Sequence, residues 1–148
     1  MKVSIRKEET IEHIEAVILC KEYTPFVDQL AKKISQISIF IVGKDIGGNI
    51  QLPIDDIYYF EAVENRTYVY CKEKVYNCDL KLYELESKLT GTSFQRISKS
   101  CILNLDKMKK AKGMINGRLI VELDNNEKLV VNRSYAAKLR DYVKSVYS

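Results

Sequence analysis

The spacing of apolar residues along this chain changes period more than once. Residues 2–6 (KVSIR) alternate and predict a strand, and 15–20 (EAVILC) predict another. Residues 25–36 switch to helical spacing, with Val27, Leu30 and Ile34 on one stripe. Thr24 suits the N-cap of that helix, and Pro25 suits its first turn. The first 36 residues therefore read as strand, strand, helix, an element too small to bury a core alone. From residue 37 the period is that of strands: 37–42 (ISIFIV), 56–63 (DIYYFEAV) and 65–78 (NRTYVYCKEKVYNC), the last folding back near Lys72–Lys74. Gly47–Gly48 suits a tight hairpin. Asp79 is placed to cap a short helix over 80–89, on which Leu82, Leu85 and Leu89 share a face. Asn116–Gly117 is a strong hairpin signal, because both residues tolerate positive φ. With RLIVEL, the turn DNNE and KLVVN it predicts a three-stranded antiparallel meander. Ser134 is read as the cap of a last helix, with Tyr135, Leu139, Tyr142, Val143 and Val146 as its stripe. Strand–helix–strand alternation is missing, so a parallel doubly wound sheet is disfavoured.

One stretch breaks the pattern. FQRISKSCILNL (94–105) begins and ends like a buried strand, with Phe94, Ile97, Ile102, Leu103 and Leu105. Its middle holds Arg96, Ser98, Lys99 and Ser100. The same arrangement, a short polar knot between apolar runs, recurs at ENRTY (64–68) and VNRSY (131–135). Each knot pairs Arg or Lys with Asn, Ser or Thr, a mixture that suits phosphates and base edges. Taken singly, each reads better as an ordinary solvated turn.

Charge makes the nucleic-acid reading more specific. Residues 1–37 are balanced, residues 38–93 carry net −3, and residues 94–148 carry net +7, within a total of +4. A basic final third suits a polyanionic partner. Catalytic chemistry is thin. There is no Gly-rich phosphate loop, Asp55–Asp56 is a solvated pair before a strand, and His13 is the single histidine, so no enzyme activity is expected. Cys20, Cys71, Cys78 and Cys101 form no C-x-x-C pair and read as reduced thiols, with no metal and no cofactor expected. Neither a signal peptide nor a run of about 18 apolar residues is present, so a cytoplasmic protein without membrane insertion is expected.

IDDIYYFEAVENRTYVYC, CDLKLYELESKL, FQRISKSCILNLDKM, NGRLIVEL and LVVNRSYAAKLRDYV, in that order and spacing, resemble the LytTR DNA-binding domain family over residues 37–147. The resemblance implies a mainly β fold with short helices (α+β overall), built of small antiparallel sheets without a helix-turn-helix. It divides the chain into the 1–36 element, a candidate for dimerisation, and a DNA-binding domain over 37–148. It implies a bacterial transcription regulator that inserts loops into successive major grooves of double-stranded DNA and bends it. Base reading is implied for Arg66–Thr67, Lys99 and Arg133, with Asn65, Tyr68, Ser98, Ser100, Asn132 and Ser134 completing the contact set. Some relatives carry His and Asn where this chain has Thr67 and Lys99, so its preferred bases differ. Arg96 is read two ways, as a DNA contact or as the partner of a carboxylate such as Glu61. With about 36 residues ahead of the domain, the chain resembles the small stand-alone members without a receiver domain.

Partners expected on this reading are duplex DNA with repeated half-sites and a second copy of the chain. An alternative is an interaction module that partners a membrane sensor and does not touch DNA. A third reading is RNA binding, with Tyr68 and Tyr70 stacking on splayed bases.

Overall fold

The computed structural model describes residues 1–147. It holds three α-helices, α1 (Pro25–Gln36), α2 (Leu82–Lys88) and α3 (Arg133–Tyr147). The strands are β1 (Phe40–Asp45), β2 (Gly48–Pro53), β3 (Ile57–Val63), β4 (Arg66–Cys71) and β5 (Val75–Cys78), then β6 (Phe94–Ser98), β7 (Cys101–Asn104), β8 (Met108–Gly113), β9 (Leu119–Leu123) and β10 (Lys128–Val131). They form a seven-stranded sheet in the order β2-β1-β5-β4-β3-β7-β6 and a three-stranded sheet β10-β9-β8. Every pairing is antiparallel. The fold is mainly β with short helices, as the sequence implied.

Two apolar clusters hold the layers together. On one face of the large sheet, Phe60, Val69 and Ile102 pack with Leu82, Leu85 and Leu89 of the α2 region. On the other, Tyr59, Ile97 and Leu103 pack with Val121 and Leu123 of the small sheet and Leu139 of α3. Strand β3 feeds both clusters. A register shift between Ile57 and Tyr59 turns Tyr58 and Tyr59 together toward the small sheet. Strand β7 is covered on both faces and all four of its residues are buried, which explains its unbroken apolar start. At its end Asn104 is fully buried and satisfied. Its amide donates to the Ile57 carbonyl (2.8 Å), and its side-chain oxygen accepts from Ser93 Oγ (2.8 Å) and the Asp106 N–H (3.0 Å). Gln36 Nε2 donates to Ser93 Oγ (3.2 Å), so α1 is tied to the same network.

Several boundaries differ from the sequence reading. Residues 1–24 form neither helix nor strand, so the strands expected at 2–6 and 15–20 are not formed; Ile5, Ile14, Val17 and Leu19 are exposed. Alternation gives a segment one apolar side but does not supply the sheet edge it must pair with. The helix expected beside them does form, and Thr24 Oγ1 accepts from the Val27 N–H (3.4 Å) as its cap. Asp79 does not cap α2. Lys81 precedes that helix, its N–H donating to Glu84 Oε1 (3.2 Å), while the Asp79 carboxylate pairs with Lys44 Nζ (2.5 Å). Ser134 does not cap α3 but lies in its first turn, and Asn132 is the residue before the helix. The Val146 side chain lies outside the described residues. The hairpins at 72–74 and 114–118 and the β8–β9–β10 meander form as expected, whereas the first hairpin turns at 46–47, one residue ahead of Gly47–Gly48, and its first strand runs over 40–45 rather than 37–42.

Candidate nucleic-acid interface

The first knot is the β3–β4 hairpin. Val63 pairs with Arg66, leaving a two-residue turn in which Glu64 (φ 50°) and Asn65 (φ 64°) are both left-handed. That is the turn sense that matches strand twist, and it presses Asn65 outward. Lys81 Nζ donates to the Asn65 carbonyl (3.1 Å), so a second cation stands beside the turn. Arg66 is exposed at the start of β4. Thr67 is 5% exposed, between Ala62 and Cys78 in the sheet, and Tyr68 is half-buried. Arg66 and Asn65, rather than Thr67, are therefore the displayed side chains of this knot.

The second knot joins β6 to β7. A register shift between Arg96 and Ser98 lets Ile97 bury on the small-sheet side while the chain turns. Arg96 is consumed inside the turn. Its Nε donates to Glu86 Oε2 of α2 (2.8 Å), and its Nη1 donates to the Lys99 carbonyl (2.8 Å). The carboxylate partner is Glu86, not Glu61. Glu61 instead lies near Tyr70, whose hydroxyl is held above its ordinary pKa by burial first and then by that charge. Ser98 Oγ accepts from the Ser100 N–H (3.2 Å) and lies 3.4 Å from Ser100 Oγ. The turn is thus tied on itself, and Lys99 is left exposed at its tip.

The third knot links β10 to α3. The Asn132 N–H donates to the Ile97 carbonyl (2.9 Å), and the Asn132 carbonyl accepts from the N–H groups of Tyr135 (2.9 Å) and Ala136 (3.0 Å). Arg133 and Ser134 are exposed in the first turn of the helix.

These knots are far apart in sequence but adjacent in space. The Ala62 N–H next to the first knot donates to the Ser100 carbonyl of the second (2.8 Å), and Ile97 beside the second accepts from Asn132 of the third. Strand order gives the same answer. The turns follow β4/β3, then β7/β6, then β10 along one rim. At about 4.8 Å per strand, the first two turns stand roughly 10 Å apart. Arg66, Lys99 and Arg133 form no ion pair among the described residues. The row is therefore positive, apart from Glu64 in the first turn. Among the described residues no cluster of three or more His, Cys, Asp or Glu could hold a metal, and no helix is long and apolar enough to cross a membrane. Tyr70 is stacked on Tyr59 with ring centroids 4.2 Å apart, so one of its faces is already taken.

An antiparallel scaffold that displays cations along one rim offers a surface suited to a polyanion. Comparison with known proteins gives the family. The sequence profile described as LytTr DNA-binding domain matches residues 47–144, and the chain belongs to that family. Over 92 residues it is 35% identical to the transcriptional regulatory protein YpdB of Escherichia coli K12, covering 62% of this chain and 38% of YpdB. Over 87 residues it is 31% identical to the sensory transduction protein LytT of Enterococcus faecalis, covering 59% of this chain and 36% of LytT. The chain thus spans well under half the length of these relatives. A solved LytTr DNA-binding domain from Bacillus cereus superposes with a TM-score of 0.66 at 29% identity, covering 70% of this chain and 95% of that one. Helix α1 lies outside the profile match.

Proposed function

We propose that this chain binds double-stranded DNA sequence-specifically and regulates transcription, reading the duplex with the three turns of its rim. The observation that carries this is the joining of three distant polar turns into one row by backbone hydrogen bonds, each presenting a cation with no ion-pair partner among the described residues. Arg66, Lys99 and Arg133 are assigned to base edges, where Arg meets guanine O6 and N7 in two-pronged fashion. Ser98, Ser100 and Asn132 hold the turns in shape, and Asn65, Lys81 and Ser134 face phosphates. Thr67 is buried and Tyr68 half-buried, so neither is assigned a base contact. Turns tied at both ends lose little freedom on binding. Successive major grooves lie roughly 34 Å apart, so contact with two of them favours a duplex bent toward the protein.

Fluorescence anisotropy with labelled duplex from upstream of this protein's own gene, against a scrambled duplex, tests the reading. Wild type is expected to prefer the native duplex, and Arg133→Ala to weaken that binding by about 1–3 kcal/mol. Equal and weak binding to both duplexes by both proteins would count against it.

A second reading rests on the N-terminal segment. Ile14, Val17 and Leu19 are exposed ahead of α1 with nothing over them, which favours a protein contact there. We assign that contact to a second copy occupying the neighbouring half-site; a membrane-held sensor is the competing partner. Sedimentation of full chain and of chain lacking residues 1–22 separates them: self-association lost on deletion supports the dimer, and a monomer in both sinks it.

A further inference from the structure

The rim does not end at the third knot. Beside β10 lies β9, and beside β9 lies β8, and Val131, Leu119 and Gly113 share one row at the same end of the small sheet. The β8–β9 hairpin therefore emerges next in line after Asn132–Ser134. It is closed by the Met114 N–H donating to the Arg118 carbonyl (2.9 Å), with Asn116 (φ 70°) and Gly117 (φ 76°) left-handed at its tip. Gly117 lies directly against Arg133: a Cβ there would stand 3.1 Å from Arg133 Cγ. Arg140 Nη2 reaches the Gly117 carbonyl at 3.5 Å, which ties the hairpin to α3. The hairpin and the third knot are thus one unit.

Its surface chemistry has no role within the fold. Ile115 is 83% exposed at the tip, an apolar side chain among cations. Arg118 and Lys112 are exposed and form no ion pair among the described residues. An isolated apolar side chain flanked by cations on a hairpin tip suits the edge of a nucleic-acid groove, where the cations take the phosphates and the apolar group packs on sugars or a base step.

We propose that the β8–β9 hairpin is a fourth DNA-contact element, with Arg118 and Lys112 on phosphates and Ile115 packed in the groove flanking the one that Arg133 enters. The proposal rests on the DNA-binding reading given above. It extends the contacted duplex on the Arg133 side beyond what the three knots cover.

The test needs no known operator. Full-length protein is titrated onto a labelled 30-base-pair duplex of mixed sequence at several salt concentrations. Each phosphate contact contributes about 0.9 to the slope of log K against log salt. The double variant Arg118→Gln, Lys112→Gln is expected to lower that slope by about 1.8, while Arg118→Lys keeps the wild-type slope. Ile115→Ser is expected to weaken binding several-fold with the slope unchanged. All these side chains are exposed, so thermal melts serve as the control for folding. If the variants keep the wild-type slope and affinity while Arg133→Gln weakens binding, the hairpin contact is overturned and the three-knot reading stands. If wild type shows no salt-dependent binding to any duplex, both fall together.

Discussion

Arg96 commits its guanidinium to the domain itself. One nitrogen meets Glu86 on α2 and another holds the carbonyl of Lys99, so the residue joins the α2 layer to the Lys99 tip. Its side chain is 20% exposed while that of Glu86 is 55% exposed, so the ion pair is partly screened and the hydrogen bond to the turn matters more. Arg96→Ala is expected to lower stability by about 1–2 kcal/mol in urea melts. It should also weaken DNA binding without any direct contact, because Lys99 loses its anchor. A variant that melts early but binds as wild type would show that the tip holds itself through Ser98 and Ser100 alone. The sequence left two roles for Arg96. The deciding partner, Glu86, stands ten residues away on another element, and no local pattern reveals it.

Among the elements, the β3–β4 hairpin shows how local chemistry sets up a site at some cost. Asn65 accepts a left-handed backbone readily, but Glu64 is also left-handed, at a cost of roughly 1 kcal/mol for a residue of its kind. Glu64 also places a negative charge on a rim that is otherwise cationic. Glu64→Asn is expected to raise the urea midpoint, by up to about 1 kcal/mol in stability, and to tighten non-specific duplex binding. A midpoint that falls would mean that the carboxylate makes a contact more valuable than the strain it causes. The Asn116–Gly117 hairpin has no such conflict, and it is the turn that the sequence announced most clearly. Strands 2–6 and 15–20 went the other way. Their apolar pattern was right for a strand, but they pair with no strand of either sheet.

Taken whole, the molecule buries tyrosines and a thiol between its layers, and this sets its response to alkali. Tyr58 is pushed up to about 12, by burial first and then by its hydrogen bond to Asp124 and the charge of Glu127. Cys101 is also pushed up to about 12, chiefly by burial and secondarily by Glu61. Tyr59 is raised as well, again by burial first and then by Glu127. In each case the folded chain holds a proton that the unfolded chain gives up at lower pH. These groups contribute stability that is fully present below pH 9, where the unfolded thiol begins to ionise, and that is lost as the pH rises toward 12. Urea midpoints are expected to show no loss from these groups between pH 7 and 8.5 and to fall steeply between pH 9 and 11.5, less steeply in Tyr58→Phe. Equal midpoints at pH 8 and pH 11 would show that these groups are not held neutral by the fold.

The sequence by itself determined the strand-rich class, most of the hairpins, the helix begun by Thr24 and Pro25, and the three polar knots as the places to look. Those features depend on period, on turn residues that tolerate positive φ and on caps, all of which act within a few residues. The tertiary structure decided which knots are neighbours, because strand order depends on pairings across dozens of residues. It decided that Thr67 is buried while Arg66 is displayed, since which face of β4 is covered depends on what packs against the sheet and not on β4 itself. It also decided that Gly117 rests on Arg133, which places the β8–β9 hairpin beside the third knot. A row of cations is a property of a surface, and the surface exists only once the sheets have closed over their two cores.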